Sequence, residues 1–582
     1  MRKPPHVPPA GARSDDLLHE GLQLHRAGRL EEGALRYRQV LASDPGHAAA
    51  NHLLGLVYLQ QGSHGRAIDH ISRAVATRAD PQYLCNLGVA LNGAGRHEEA
   101  VIALRQATSA DPNFAEAWSN LGMALRALHR PEEAATAYRR AVELKPHEPG
   151  FHYNLGNALS DAGEIVQAEA AFREALRLRP NYPAAVGVLA HLLLEHGRAE
   201  EGLVLVEAAL TAAPADPQLH RRRGRLLQTL HRAEAAIAAY DRAIELRPGF
   251  GEAHLNRALA RRHETRDGAV DALDALFSDS SAPLDDRVFA GFGLAKSLAD
   301  IGEHEASVGA CLAVNRMHRA RISFSLERAK AELTADLERF SGIENATSAT
   351  GDGAPGPIFV VGLPRAGKST IEAILSRHSR VAAAGELPTL GRLATRFWRE
   401  HADGHAPRER LARLSREYLD EAQALVGAGR VVVDTMPLNY RHVGLVRAAF
   451  PRARIIWSHR DAASHCIAIF EKYLTGTGYE YAFDFDELLA FHGAYRKLAA
   501  GWLARAPDLV LEADVARLRA DPEAGLHRLI EFCGLQWEDG LLAAAETEPQ
   551  AGGWEPERIS RNQADHAAAW FRAVPALAAL SR

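Results

Sequence analysis

Apolar and polar positions along residues 15–266 alternate with a helical spacing, and the spacing itself repeats. The stretch AWSNLGMALRALHRPEEAATAYRRAVELKP, residues 117–146, has its counterpart in FHYNLGNALSDAGEIVQAEAAFREALRLRP, residues 151–180. Each reads as two amphipathic helices joined by a short turn and closed by proline. Pro112, Pro146, Pro180, Pro214 and Pro248 stand 34 residues apart. Gly88, Gly122 and Gly156 keep the same step, Gly224 falls two steps beyond Gly156, and Ala190 and Ala258 fill the slot where glycine is missing. Ala100, Ala134 and Ala168 mark a second small-residue slot. Small residues at these slots let two helices approach closely. One such hairpin cannot bury its own apolar face, so hairpins must stack into a superhelix. The pattern predicts about eight of them, followed by less regular helices such as VFAGFGLAKSLADIGEHEASVGACLAVNRMHRAR that are placed to cap the stack.

Beyond residue 345 the grammar changes. NATSATGDGAPGP is rich in Gly, Ala, Ser, Thr and Pro and predicts a linker over 345–356. PIFVVGL, RVVVDTM, ARIIWSHRD and DLVLEAD are short, nearly continuous apolar runs separated by helical stretches. Such runs predict strands buried on both faces of a mainly parallel sheet. The expected organisation is a disordered tail at 1–14, helical repeats over 15–268 and an irregular helical capping region over 269–344. The linker and an α/β domain of P-loop type over 357–582 complete it. The fold class is therefore an all-α solenoid followed by a parallel-sheet domain.

Composition narrows the function. A chain of 582 residues is too long for one compact core. Its net charge of −5 argues against a nucleic-acid binder, whose footprint would be strongly basic. Cys85, Cys311, Cys466 and Cys533 lie far apart without metal-ligand spacing, which points to a reducing compartment. No stretch reaches the roughly 18 apolar residues of a membrane span. The N-terminal MRKPPHVPPAGARSDD lacks the apolar run of a signal peptide. A cytoplasmic location is expected, and the abundance of alanine and arginine suits a bacterial source. His401 and His405 stand four apart in EHADGH but have no obvious third ligand, so they read as a solvated turn and no metal is expected. Trp118 and Trp502 read as packing residues.

The candidate chemistry begins in PIFVVGLPRAGKSTIEAIL, where an apolar strand runs into a Gly-rich turn and then a helix. Backbone N–H groups and a helix N-terminus make that geometry a cradle for a phosphate-like anion. Residues 362–369 fit G-x-x-x-x-G-K-[ST], the nucleotide triphosphate loop. On that reading Lys368 holds the β- and γ-phosphates, Ser369 holds Mg²⁺, and Asp434 after RVVV supplies a further acid to the same ion. In the repeats, Asn86, Asn120, Asn154 and Asn256 share the position two residues before the small-residue slot, on the helix that lines a concave face. Side-chain amides there can hydrogen-bond the backbone of an extended peptide.

The 34-residue unit is that of the tetratricopeptide repeat. The order of motifs in the second half resembles the sulfotransferase family, most of all bacterial proteins that fuse such repeats to a sulfotransferase domain. The motif style is similar to that of the protein-tyrosine sulfotransferases. The resemblance spans essentially the whole chain and rests on PIFVVGLPRAGKSTIEAIL, GELPTL, VDTMPLNYRHVGLVRAAFPRARIIWSHRD and LVLEADVARLRADPEAGLHRLIEFCGLQW in that order. It implies transfer of a sulfuryl group from 3′-phosphoadenosine 5′-phosphosulfate (PAPS) to a hydroxyl or amine, without a metal ion. It implies that Gly362, Pro364, Arg365, Ala366, Gly367, Lys368, Ser369 and Thr370 wrap the phosphosulfate end, with Arg365 neutralising charge on the leaving phosphate. Arg460 matches the family arginine that contacts the 3′-phosphate, and Lys472 adds positive charge nearby. Glu386 in VAAAGELPTL matches the base that takes a proton from the acceptor. A phenol with a pKa near 10 benefits from such a base. The competing role for Glu386 is a carboxylate that suits the dipole of the helix starting at Pro388. The asparagine positions resemble the ladder of O-linked N-acetylglucosamine transferases and imply a protein or peptide held in the repeat groove.

The sequence departs from the family in four places. Lys368 and Ser369 stand where hydroxyl residues are usual, Thr435 replaces the lysine of Asp-Lys-x-Pro, Ala468 replaces a serine, and Leu511 replaces a tyrosine, with Glu512 retained. Three readings stay open at this level: a PAPS-dependent sulfotransferase, a nucleotide-dependent phosphotransferase, and a non-catalytic repeat scaffold with a degenerate sulfotransferase domain. Protein tyrosine, a glycan or a small molecule are the candidate acceptors.

Overall fold

The computed structural model describes residues 10–338, 355–399, 408–474, 476–539, 541 and 561–577. The chain forms two compact units, residues 1–214 and 215–582.

The first unit is a run of antiparallel helix pairs, from Ala10–Arg26 with Leu30–Ser43 to Pro183–Glu195 with Ala199–Ala212. Its first helix begins at Ala10, inside the stretch expected to be a tail; residues 1–9 lie outside the described residues. The small-residue slot has a direct steric meaning. A Cβ on Gly88 would stand 2.4 Å from Leu104, on Gly122 2.7 Å from Tyr138, and on Gly156 2.5 Å from Phe172. The partner lies sixteen residues on each time, as it does for Gly21 with Tyr37 and Gly55 with Ile71. Where Ala190 takes the slot, the residue sixteen on is the smaller Val206, and both are buried. Large and small residues thus trade volume across each hairpin. The proline carbonyls also have set partners: Trp118 Nε1 donates to Pro112 O at 3.0 Å, and His152 Nε2 to Pro146 O at 2.8 Å.

The second unit opens with one more hairpin, Pro217–Thr229 and Ala233–Leu246, in which Gly224 meets Tyr240 in the same way. The repeat then breaks. Gly251 in the short helix Gly251–Ala260 lies against the backbone of Asp286 in the helix Leu284–Asp300, where a Cβ would come within 2.1 Å of a carbonyl oxygen. The helix Gly268–Ser278 straddles the boundary expected at 268. Leu255, Val288, Phe292, Val314 and Phe483 form one apolar cluster. Asn315 Nδ2 donates to Phe470 O at 3.0 Å, and Arg319 pairs bidentately with Glu487. These contacts place the capping helices in one body with the sheet, so the compact-unit boundary falls at 214 rather than at the expected linker. Residues 345–354 of that linker lie outside the described residues, as do His401 and His405.

Five parallel strands follow: β1 Ile358–Val361, β2 Val381–Gly385, β3 Val431–Asp434, β4 Arg454–His459 and β5 Val510–Asp514, in the order β2-β3-β1-β4-β5. Alternate residues feed two cores. Phe359, Val361, Val432, Ile455 and Trp457 pack on one face, and Ile358, Val360, Val433 and Ile456 on the other with Ile371 and Leu375. Two buried faces explain the unbroken apolar runs. The connection from β1 returns to β2 at one side, while that from β3 crosses to β4 at the other. The order therefore reverses at β1, where ligands bind in open α/β sheets.

Candidate functional site

The loop 362–367 leaves the carboxyl end of β1 and enters the helix Lys368–Leu375. Two glycines are sterically required. A Cβ at Gly362 would lie 2.8 Å from Ser458 O, and Gly367 combines a φ of +93° with Val515 at 2.6 Å. Arg365 adopts a φ of 66°, a left-handed conformation that non-glycine residues seldom take. The loop is held from below. Ser458 Oγ donates to Ala366 O at 2.7 Å, and His465 Nε2 donates to Pro364 O at 2.9 Å. Because Nε2 carries the proton, His465 Nδ1 accepts, and His492 Nε2 donates to it at 3.3 Å. Burial drives both rings to the neutral form, with pKa values lowered to about 3 for His465 and about 4 for His492.

Cations converge on this loop. Lys368 is 6% exposed, and its ammonium makes one long hydrogen bond, 3.4 Å to Leu363 O. Burial lowers its pKa to about 8, with Arg365 pushing the same way and Glu386 and Glu372 pushing back. Lys472 is likewise lowered, by burial and then by Arg365. Its residue surface is exposed, so the surrounding protein mass rather than full enclosure causes the shift. Arg460 follows β4, is half-buried, and its charge reaches His465. Arg365 and Ser369 are exposed at the loop surface, and Thr370 is half-buried. Arg365, Lys368 and Lys472 thus crowd positive charge around a helix N-terminus, an arrangement that an anion relieves.

On the strand-end side lie carboxylates, of which Glu386 and Glu372 act on the Lys368 charge. Glu386 sits just past β2, exposed at the rim, yet enough protein surrounds it for desolvation to raise its pKa. Its two neighbours are fixed: Gly385 N donates to Glu372 Oε1 at 2.9 Å, and Leu387 N to Asp434 Oδ1 at 3.4 Å. Asp434 is fully buried. It also accepts from Tyr418 Oη at 2.9 Å, Asn439 Nδ2 at 3.0 Å and Met436 N at 2.9 Å. Burial pushes its pKa up to about 7, against the pull of these donors. Asp434 is therefore a structural hub with both oxygens occupied, not an acid presented to a metal ion. Among the described residues no group of three or more His, Cys, Asp or Glu is arranged to hold a metal.

A cleft of about 650 Å³ opens beside the ends of β4 and β5, lined by His459, Leu511, Glu512, Asp514, Arg517 and Arg528 among others. Glu512 pairs with Arg496 at 2.9 Å and with His459 at 3.4 Å. Ala468 is half-buried on the helix Ala462–Phe470.

In the first unit Asn86, Asn120 and Asn154 occupy equivalent places on successive helices; Asn256 belongs to the second unit. They are not all poised for a ligand. Asn86 Nδ2 already donates to His52 Nε2 at 2.8 Å, and Asn120 Nδ2 contacts Cys85 Sγ at 3.4 Å. His52 stands 34 residues before Asn86, so it holds the same position one repeat earlier. Trp502 is buried in the α/β core, and the four cysteines are buried free thiols.

Sequence reasoning names the loop, Arg365, Lys368 and Glu386, and the fold brings the charges of Arg365 and Glu386 to bear on Lys368. That reasoning missed Glu372, His465, His492 and the hub role of Asp434. The signal for Glu372 was its place four residues after Lys368, on the same helix face; the histidine pair left no local signal.

Residues 357–539 match the sulfotransferase family, residues 15–223 match the cilia and flagella-associated protein 70 C-terminal domain, and residues 220–250 match the tetratricopeptide repeat. An uncharacterized protein of Aquifex aeolicus is 27% identical over 302 residues, 49% of this chain and 40% of its own length. Protein-tyrosine sulfotransferase 1 of Danio rerio is 24% identical over 220 residues, 35% of this chain and 60% of its own length. The chain thus spans about half the length of the curated relatives it matches. The solved structure of YrrB, a tetratricopeptide-repeat protein with an unusual peptide-binding site, is 21% identical, covering 30% of this chain and 89% of its own at a TM-score of 0.28. The chain is a tetratricopeptide-repeat protein that carries a sulfotransferase-like domain.

Proposed function

We propose that the α/β domain transfers a sulfuryl group from PAPS to a hydroxyl acceptor. The observation that carries this reading is Lys368, an ammonium 6% exposed at a helix N-terminus whose contact is a single 3.4 Å hydrogen bond. A buried charge so poorly satisfied is costly unless a ligand completes it. Gly362 and Gly367 seat the loop tightly against Ser458 and Val515, a backbone turn of the kind that cradles an anion. When bound, PAPS supplies a sulfuryl group on a leaving phosphate that needs no metal. Arg365 and Lys368 hold its charged end, and Arg460 and Lys472 add charge around it. We assign the nucleoside to the cleft beside the ends of β4 and β5. Glu386 takes the proton from the acceptor hydroxyl, and its raised pKa brings it nearer the pH at which it must work.

On the family resemblance, Ala468, Thr435 and Leu511 lack the polar groups usual at their positions. Losing one hydrogen bond to a charged group costs about 1.5–3 kcal/mol, or about tenfold to a hundredfold in donor affinity, and Lys368 offsets part of the loss. The repeats hold a peptide or protein acceptor, tyrosine being the favoured side chain, along Asn120 and Asn154, with Asn86 exchanging His52 for the ligand. Asn256, in the second unit, offers the same side-chain amide to a ligand there. The buried free thiols suit a reducing, cytoplasmic setting in a bacterium.

The triphosphate-loop spelling favours a second reading, nucleotide-dependent phosphoryl transfer, but the filled oxygens of Asp434 leave it without its expected Mg²⁺ ligand. Calorimetry with adenosine 3′,5′-bisphosphate (PAP) and with ADP plus Mg²⁺ separates the readings. Binding of the bisphosphate alone supports sulfuryl transfer. Binding of ADP alone overturns it, and binding of neither leaves the scaffold. Glu386→Gln should keep bisphosphate binding and lower turnover; unchanged turnover removes Glu386 as the base.

A further inference from the structure

The backbone on both sides of Glu386 is pinned, and the pins come from different elements. Asp434, at the end of β3, accepts from Leu387 N. Glu372, on the helix that follows the donor loop, accepts from Gly385 N at 2.9 Å. The strand prepares that bond. β2 carries a bulge between Ala383 and Gly385, and Gly385 has a φ of +66°, which kinks the strand end. Thr435 N closes the same corner by donating to Gly385 O at 2.8 Å. A glutamate on a short helix would ordinarily extend into water. Glu372 is instead drawn half-buried against the strand end. Its carboxyl pKa is raised, first by burial, and among charged groups Glu386 and Lys368 act on it.

We infer that Glu372 is a positioning residue for Glu386: through the Gly385 N–H it fastens the base to the helix whose N-terminus grips the donor. The inference rests on the sulfuryl-transfer reading. The donor-side helix and the acceptor-side base then move as one piece, so the base is already aligned when the loop is filled. Lys368 and Glu372 lie four residues apart on one helix face, so one turn of helix serves both sides of the reaction. Of the two pins, Asp434 is a core hub and Glu372 is separable, which makes Glu372 the one to test.

Three proteins answer the question: the full-length wild type, Glu372→Gln, which keeps an oxygen acceptor, and Glu372→Leu, which does not. Amide hydrogen exchange of the 383–388 segment, read by mass spectrometry, needs no ligand. Glu372→Leu should speed that exchange by about tenfold or more, and Glu372→Gln should stay near wild type. With PAPS and p-nitrophenol as acceptor, kcat should fall by about tenfold in Glu372→Leu and recover in Glu372→Gln. Affinity for the bisphosphate should hold or tighten in both, since each removes a negative charge near Lys368. Exchange and kcat at wild-type level in Glu372→Leu would overturn the inference. So would kcat and bisphosphate affinity falling together, the mark of a general structural lesion. If the wild type binds no bisphosphate, sulfuryl transfer is lost, and the exchange data alone decide whether Glu372 pins the strand end. Glu372→Ala is the second variant should the leucine form not fold.

Discussion

On the loop wall of the site a buried ammonium makes one long hydrogen bond; on the strand-end wall a buried carboxylate receives four. Both residues are charged, both are enclosed, and both are shifted toward neutrality by burial. Only one of them is finished by the protein itself. Asp434 is completed by Tyr418, Asn439 and two backbone amides, so its role is to hold shape. Lys368 is left incomplete, and the proposed donor site is built on that. The pairing teaches that burial alone does not mark a functional charge; burial with missing partners does.

The largest expected effect breaks the strand-end wall. Asp434→Asn turns an amide NH₂ toward groups that are themselves donors, and should cost about 3 kcal/mol of stability or more in urea denaturation. Next comes the loop wall. Lys368→Met should weaken bisphosphate binding about a hundredfold in calorimetry while leaving stability unchanged or raised, because it removes a charge the fold does not satisfy. If both variants lose stability equally, the contrast between the walls is wrong.

Titration sharpens the same contrast, because the two groups have opposite slopes. Asp434 is raised to about 7 in the folded chain, so its contribution to stability is present below an unfolded carboxyl's range and is lost as pH rises through 7. Lys368 is lowered to about 8, below the roughly 10.4 of an unfolded lysine. Between those values the unfolded chain holds the extra proton, so stability rises with pH. Bisphosphate affinity runs the other way: above pH 8 the free protein must regain a proton to bind, and affinity should fall by about tenfold per pH unit. Lys368→Met should flatten that dependence, and Asp434→Asn should flatten the acid-side stability slope.

The smallest effect tests the support beneath the loop. His465→Phe orphans the Pro364 carbonyl and should weaken bisphosphate binding by about five- to tenfold, consistent with a bond worth about 1 kcal/mol. A change as large as that of Lys368→Met would mean the histidine pair does more than hold backbone.

The repeats were legible because their contacts are local and periodic: Gly122 meets Tyr138 within one hairpin, and the next hairpin repeats the step. The loop was legible because strand, glycines and helix are contiguous. The rest of the site was not, for a physical reason. Glu372 meets Gly385 across a loop and a strand, Asp434 meets Leu387 forty-seven residues back, and His465 meets Pro364 one hundred and one residues back. No spacing along the chain encodes those meetings; the order of strands does. The irregular helices after the repeats share a unit with the sheet, and Asn315 and Arg319 join them to elements far downstream.

The sixteen-residue pairing of a bare backbone site with a bulky side chain makes each hairpin a closed cassette. Its tightest fit is internal, as the exchange of Gly and an aromatic for Ala190 and Val206 illustrates. A cassette can therefore be duplicated, removed or transplanted whole without disturbing the fit inside the others, which makes array length a variable that inheritance or engineering can adjust in steps of 34.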